Sequence, residues 1–191
     1  MSSSGRHTRR SVLRAAGRVG LLGLAALVTA GHTPYRQWNV YRKRHLLILA
    51  SKSDPAAVDH ARAVAAALAA HLPDSKARSS RAGNLGRLAS LIGTKQMDVT
   101  VLTRAEVADF AAGRGAFANA EPTDLRALFA FGDHVLVARA DFSEAHAYLV
   151  VQTLDENRDA LALGRLPDGN DDLPLHPGTL AYLEEKDAAV H

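Results

Sequence analysis

Three basic side chains, Lys52, Arg81 and Arg104, each stand near the end of a strand-like run and just ahead of a helix-like one. Small polar residues accompany them: Ser51, Ser53 and Asp54 with the first, Ser80, Gly83 and Asn84 with the second, Thr103 with the third. In an open α/β sheet such loops lie beyond the carboxyl ends of the strands, where helix N-termini aim unpaired N–H groups outward. Positive charge beside those amides suits a carboxylate-bearing solute. Ser53, Asp54, Asn84 and Thr103 are explained equally well as helix caps.

Other chemistry finds less support. His176 precedes Pro177 and Gly178, a pattern open to a catalytic or metal reading but better suited to a turn that docks the last helix. No two of the nine histidines lie three or four residues apart, so helical metal-ligand spacing is absent. Asp168, Asp171 and Asp172 depart from the spacing of a calcium loop and no glutamate closes it. No nucleophile elbow, phosphate loop or dinucleotide fingerprint occurs. With no cysteine, thiolate nucleophiles and zinc-thiolate sites are excluded. A non-enzymatic protein without metal or cofactor is the expectation.

The elements that would position the three loops follow from periodicity. Residues 46–50 form a continuous apolar run, the pattern of a strand buried on both faces. Pro55 opens a helix with Val58, Ala61, Ala65, Leu68 and Leu72 on one face, and Pro73 ends it. Residues 76–80 read as a weaker strand. Asn84 starts a second helix, and residues 97–102 form a third strand. Thr103 and Glu106 have the spacing of a capping box for a helix that stops near Gly113. Two further apolar runs, 125–131 and 134–140, flank Gly132 and Asp133 as in a hairpin. A helix opens at Ser143 and extends to about Leu161, residues 164–172 read as a polar linker, and a Pro-rich tail turns helical by residue 185. The fold class is therefore α/β, a mixed sheet flanked by helices in one lobe over residues 46–163.

The first thirty residues are different. Thr8, Arg9, Arg10, Leu13 and Arg14 match the twin-arginine export consensus, and an apolar stretch from 19 to 30 follows. That stretch is shorter than the roughly 20 residues needed to span a bilayer and suits a signal. Val28 and Ala30 offer small residues for cleavage before Gly31. Export to the periplasm is expected, with membrane anchoring if the signal is retained. The leader takes five of the 23 basic residues and none of the 20 acidic ones, which leaves the remainder at a net charge of −2. A nucleic-acid partner therefore loses its support. Residues 31–45, basic and aromatic, read as an entry linker.

Three segments together resemble one family. They are the strand and helix over 46–72, the stretch from Arg81, Gly83, Asn84 and Leu85 through Gly93 to Asp98 and Leu102, and the Leu173–Tyr182 tail with its Pro-Leu-His-Pro-Gly sequence. They resemble the TAXI-type solute receptors of TRAP transporters, extracytoplasmic binding proteins with two α/β lobes. The resemblance implies one periplasmic-binding-protein-like lobe, a small-molecule solute and TRAP membrane subunits as partners. Where that family inserts its second lobe, this chain passes directly from Ala140 to Ser143. The resemblance thus also implies a partner lobe, self-association, or a docking module that no longer captures solute.

Overall fold

The computed structural model describes residues 45–167 and 173–190. The expected export signal with Arg9, Arg10, Leu13 and Arg14, nearly all of the basic linker, and residues 168–172 lie outside them.

Strand β1 (Leu47–Ser51) is buried at four of its five positions, as its unbroken apolar run requires. Asp54 caps helix α1 (Pro55–His71) by accepting the Ala57 amide at 3.0 Å, and Pro55 fits the first turn, where no amide partner is needed. Strand β2 (Arg78–Ala82) lies two residues later than the expected 76–80. A 3-10 turn at Pro73–Ser75 and a left-handed Lys76 (φ 47°) occupy the start of that window, and pairing begins where the Arg78 amide meets the Leu46 carbonyl. Helix α2 (Leu85–Gly93) and helix α3 (Arg104–Ala111) follow as expected, and the Thr103–Glu106 capping box is formed. Strand β3 (Val99–Thr103) starts two residues after the expected 97, because the Gln96 and Met97 amides donate back to the Leu91 carbonyl.

Strands β4 (Leu125–Phe131) and β5 (His134–Arg139) make the hairpin, turned by Gly132 at a left-handed φ of 61°. Helix α4 (Glu144–Glu156) ends before the expected Leu161, with the Asn157 side-chain amide donating back to the Thr153 carbonyl. A short strand β6 (Gly164–Arg165) pairs with Ala130 and Phe131 inside the stretch that reads as linker. Two residues are too few to show a period, and Gly164 is demanded by packing: a Cβ there would lie 2.8 Å from Leu161 Cβ and 3.0 Å from Phe129 Cε1. Helix α5 (Pro177–Val190) closes the described chain.

The six strands form one mixed sheet in the order β2-β1-β3-β5-β4-β6. β2, β1 and β3 are parallel, and β5 enters between β3 and β4 antiparallel to both. Alternation along the strands feeds two cores. Ile48, Val99, Val101, Leu136 and Ala138 face α1 and α4, whereas Leu49, Leu102, Val135 and Val137 face α2 and α3. A register shift between Ala127 and Phe129 breaks the alternation in β4, so that Leu128 and Phe129 both join the first core while Leu125 and Ala127 join the second. The fold is a single α/β lobe.

Candidate functional site

Parallel pairing sets Ser51 beside Ala82, and antiparallel pairing sets Thr103 beside His134. The carboxyl ends of β1, β2 and β3 therefore meet the Gly132–Asp133 turn along one edge of the sheet. Of the ten residues singled out in the sequence, Ser51, Lys52, Ser53, Asp54, Arg81, Gly83, Asn84, Thr103 and Arg104 belong to this edge or to the strand ends that lead into it, whereas Ser80 sits at the middle of β2 beside Leu49.

Much of the hydrogen-bonding capacity of these loops is already used within the fold. Ser51 is only 1% exposed, and its Oγ lies 2.6 Å from Ser53 Oγ. In the 51–54 turn the Lys52 amide donates to the Ala82 carbonyl, the Ser53 amide to Ser51 Oγ, and the Asp54 amide to the Ser51 carbonyl. Asn84 Oδ1 accepts the Arg87 amide at 2.8 Å and Thr103 Oγ1 accepts the Glu106 amide at 3.2 Å, so each of the three helices is capped by its own residue. The Arg104 amide donates to the Asp133 carbonyl and ties α3 to the hairpin turn. What the edge presents to solvent is side-chain charge: Lys52 and Arg81 are exposed, and neither lies within ion-pair distance of a described acid. On the same edge Gly83 faces open space, with nothing within 4 Å of the Cβ a side chain would add.

A second group on the same edge has no counterpart in the sequence reading. His134 Nε2 and Asp54 Oδ2 are 2.8 Å apart, which joins the hairpin to the start of α1. His60, on α1, stacks on Phe131 at 4.8 Å and tilts against His134 at 5.3 Å. Burial alone would raise the Asp54 carboxyl, but the Ala57 amide and His134 outweigh it and hold the group below its usual value. Burial and the neighbouring His134 push His60 down from 6.5. Asp54 and His60 share the start of α1, and His134 reaches them only because β5 pairs with β3, so no spacing in the sequence marks the group. Among the described residues no group of three or more His, Cys, Asp or Glu has a metal-binding arrangement.

His176, the other candidate of interest, lies elsewhere and is 1% exposed. Its amide donates to the Ala127 carbonyl, its Nδ1 accepts the Gly178 amide, and its carbonyl accepts the Thr179 and Leu180 amides. Its buried Nε2 lacks a well-aligned hydrogen bond. Desolvation lowers the ring pKa, although the Phe142 backbone carbonyl pulls the other way. Leu175 bridges Ala127, and Thr179 Oγ1 donates to the Ala127 carbonyl at 3.0 Å. The Pro-Leu-His-Pro-Gly tail thus clasps β4 and docks α5.

No protein-family model matches the chain, and a search of curated proteins finds no match. Among the described residues no helix is long and apolar enough to cross a membrane.

Proposed function

We propose that the chain is an exported, non-enzymatic solute-binding lobe of the TAXI receptor type, working with TRAP membrane subunits or a second-lobe partner. It takes a small carboxylate-bearing solute at the carboxyl edge of β1, β2 and β3. One observation supports this reading above the others. Lys52 and Arg81 stand exposed at this edge with no described acid in ion-pair range, and nothing lies within 4 Å of the Cβ that a side chain at Gly83 would add. Because the loop amides at 52–54 are spent internally, the solute's charge is met by these side chains and by Arg104, with Ser80, Asn84 and Thr103 at the margin.

That same spending of amides favours a second reading, a receptor-derived interaction module that docks on an envelope or membrane partner without solute capture. A thermal-shift screen of the full chain against small carboxylates, amino acids and neutral sugars separates the two. Solute at 100 times its dissociation constant stabilises by about 2.7 kcal/mol. A receptor responds to one carboxylate class, and Lys52→Ala or Arg81→Ala removes the response while the chain stays folded. A flat panel from a cooperatively unfolding sample sinks solute capture and leaves the docking reading.

A further inference from the structure

Among the described residues β2 is the last strand on its side of the sheet, and no described strand pairs its outer edge. The Arg78 amide donates to Leu46 and the Ala82 carbonyl accepts from Lys52, so the even-numbered residues of β2 spend their backbone groups on β1. By the two-residue period of a strand, the N–H and C=O of Ser79 and Arg81 point outward. Both residues are exposed, and β1 is the only described strand that β2 pairs.

The charge around this edge has one sign. From Ser75 to Met97 the chain contains no acid, and Lys76, Arg78, Arg81 and Arg87 are all exposed in that stretch. None of the four lies within ion-pair distance of a described acid. Elsewhere cations are commonly paired, as Arg62 is with Asp59, Arg114 with Asp109 and Arg126 with Asp124.

The order of residues selects the occupant. Arg78 and Arg81 are three residues apart, so by the same period their side chains stand on opposite faces of the sheet and each face of the edge carries a cation. A second copy would bring the same cations to the edge and no acid from residues 75–97, and like charges brought together repel. An edge that repels its own copy and carries unpaired cations fits an extended segment of opposite charge. We infer that the outer edge of β2 takes an extended acidic segment of a partner protein as a seventh strand, with carboxylates on both of its faces, one set against Arg78 and the other against Arg81. No solute need be bound for this pairing.

The experiment titrates the full chain with a synthetic peptide of about ten residues in which Glu-Glu and Val-Val pairs alternate, so that Glu occurs on both faces, a length that spans the strand. Alongside run the same peptide with Lys for Glu, the Glu peptide N-methylated at alternate residues, phosphatidylglycerol vesicles and duplex DNA. The Glu peptide binds and the Lys peptide does not, and raising salt from about 50 mM to about 500 mM weakens binding at least about tenfold. Arg78→Glu with Arg81→Glu abolishes binding. Ser79→Pro, which removes an outward N–H and keeps both charges, also weakens it, as does N-methylation. Circular dichroism checks that each variant is folded. Equal binding of the N-methylated peptide overturns strand addition, and unchanged binding by the charge-reversed variant overturns the site. Failure of the Glu peptide to bind, or tighter binding to vesicles or DNA than to the peptide, overturns the acidic-segment partner.

Discussion

The carboxyl edge of β1–β3 and the clasp between β4, α4 and α5 both carry residues that the sequence marks as candidates for chemistry, and they are built in opposite ways. At the clasp the polar groups are buried and largely committed, with Asp155 Oδ1 and His176 Nε2 the exceptions. Asp155, 8% exposed, accepts from Tyr182 Oη at 2.8 Å and pairs with Lys186 Nζ at 2.6 Å. Gly178 allows α5 to touch the start of α4. At the carboxyl edge the backbone is equally committed, yet Lys52 and Arg81 reach solvent without partners. The difference teaches where function can reside: a side chain that holds the fold is shut away from a ligand, and one that does not can change without unfolding the chain.

Substitutions break or sharpen that contrast. The largest effect is expected at Gly178, where an alanine Cβ would lie 2.3 Å from the Glu144 carbonyl oxygen and 2.6 Å from the Tyr148 amide nitrogen. Both are backbone atoms that cannot swing aside, so Gly178→Ala costs about 3 kcal/mol in urea denaturation. Asp155→Ala comes next. It leaves Tyr182 Oη and Lys186 Nζ without their acceptor and costs about 1–3 kcal/mol by the same measurement. If either variant proved neutral, the clasp would not be the rigid region described.

Acid sensitivity lies between the two regions in size. The folded pKa of His60 is lowered from 6.5, so the folded state binds this proton less readily than the unfolded chain. Its contribution is therefore present above about pH 6.5 and is lost as pH falls from there through the lowered folded value. Asp54, also lowered, behaves likewise from its usual 3.8 downward. Thermal melts between neutral and mildly acidic pH should show His60→Phe falling less than the parent, since phenylalanine keeps the stack on Phe131 without the charge. An unchanged slope would exclude His60 as the cause. The smallest effect belongs to the carboxyl edge itself: Lys52→Ala and Arg81→Ala each change stability by no more than about 0.5 kcal/mol, read as an unchanged urea midpoint. A larger loss would move these side chains from solvent-facing charge to structural support.

Local signals in the sequence account for much of the lobe. The capping box at Thr103 and Glu106, the Pro55 helix start, the unbroken apolar run of β1 and the Gly132 turn are short-range patterns, and each forms where its residues stand. The shared edge of nine of the ten candidate residues was also legible as a position, because parallel strands place their carboxyl-end loops on one side by construction, whereas Ser80 falls at the middle of β2. The tail was recognisable as a turn and helix, though not as the segment that bridges Ala127.

Only the tertiary structure decided the rest, for reasons of distance along the chain. β6 is two residues long and exists through its pairing with Ala130 and Phe131. The register shift that turns both Leu128 and Phe129 into one core depends on the partner strand. The Asp54–His134–His60 group spans 80 residues and required β5 to enter beside β3. The open edge of β2 likewise follows from the strand order, which no periodicity encodes. Residue types set which elements could form and which side chains could carry charge. Long-range pairing set which of those charges were neutralised and which were left facing solvent.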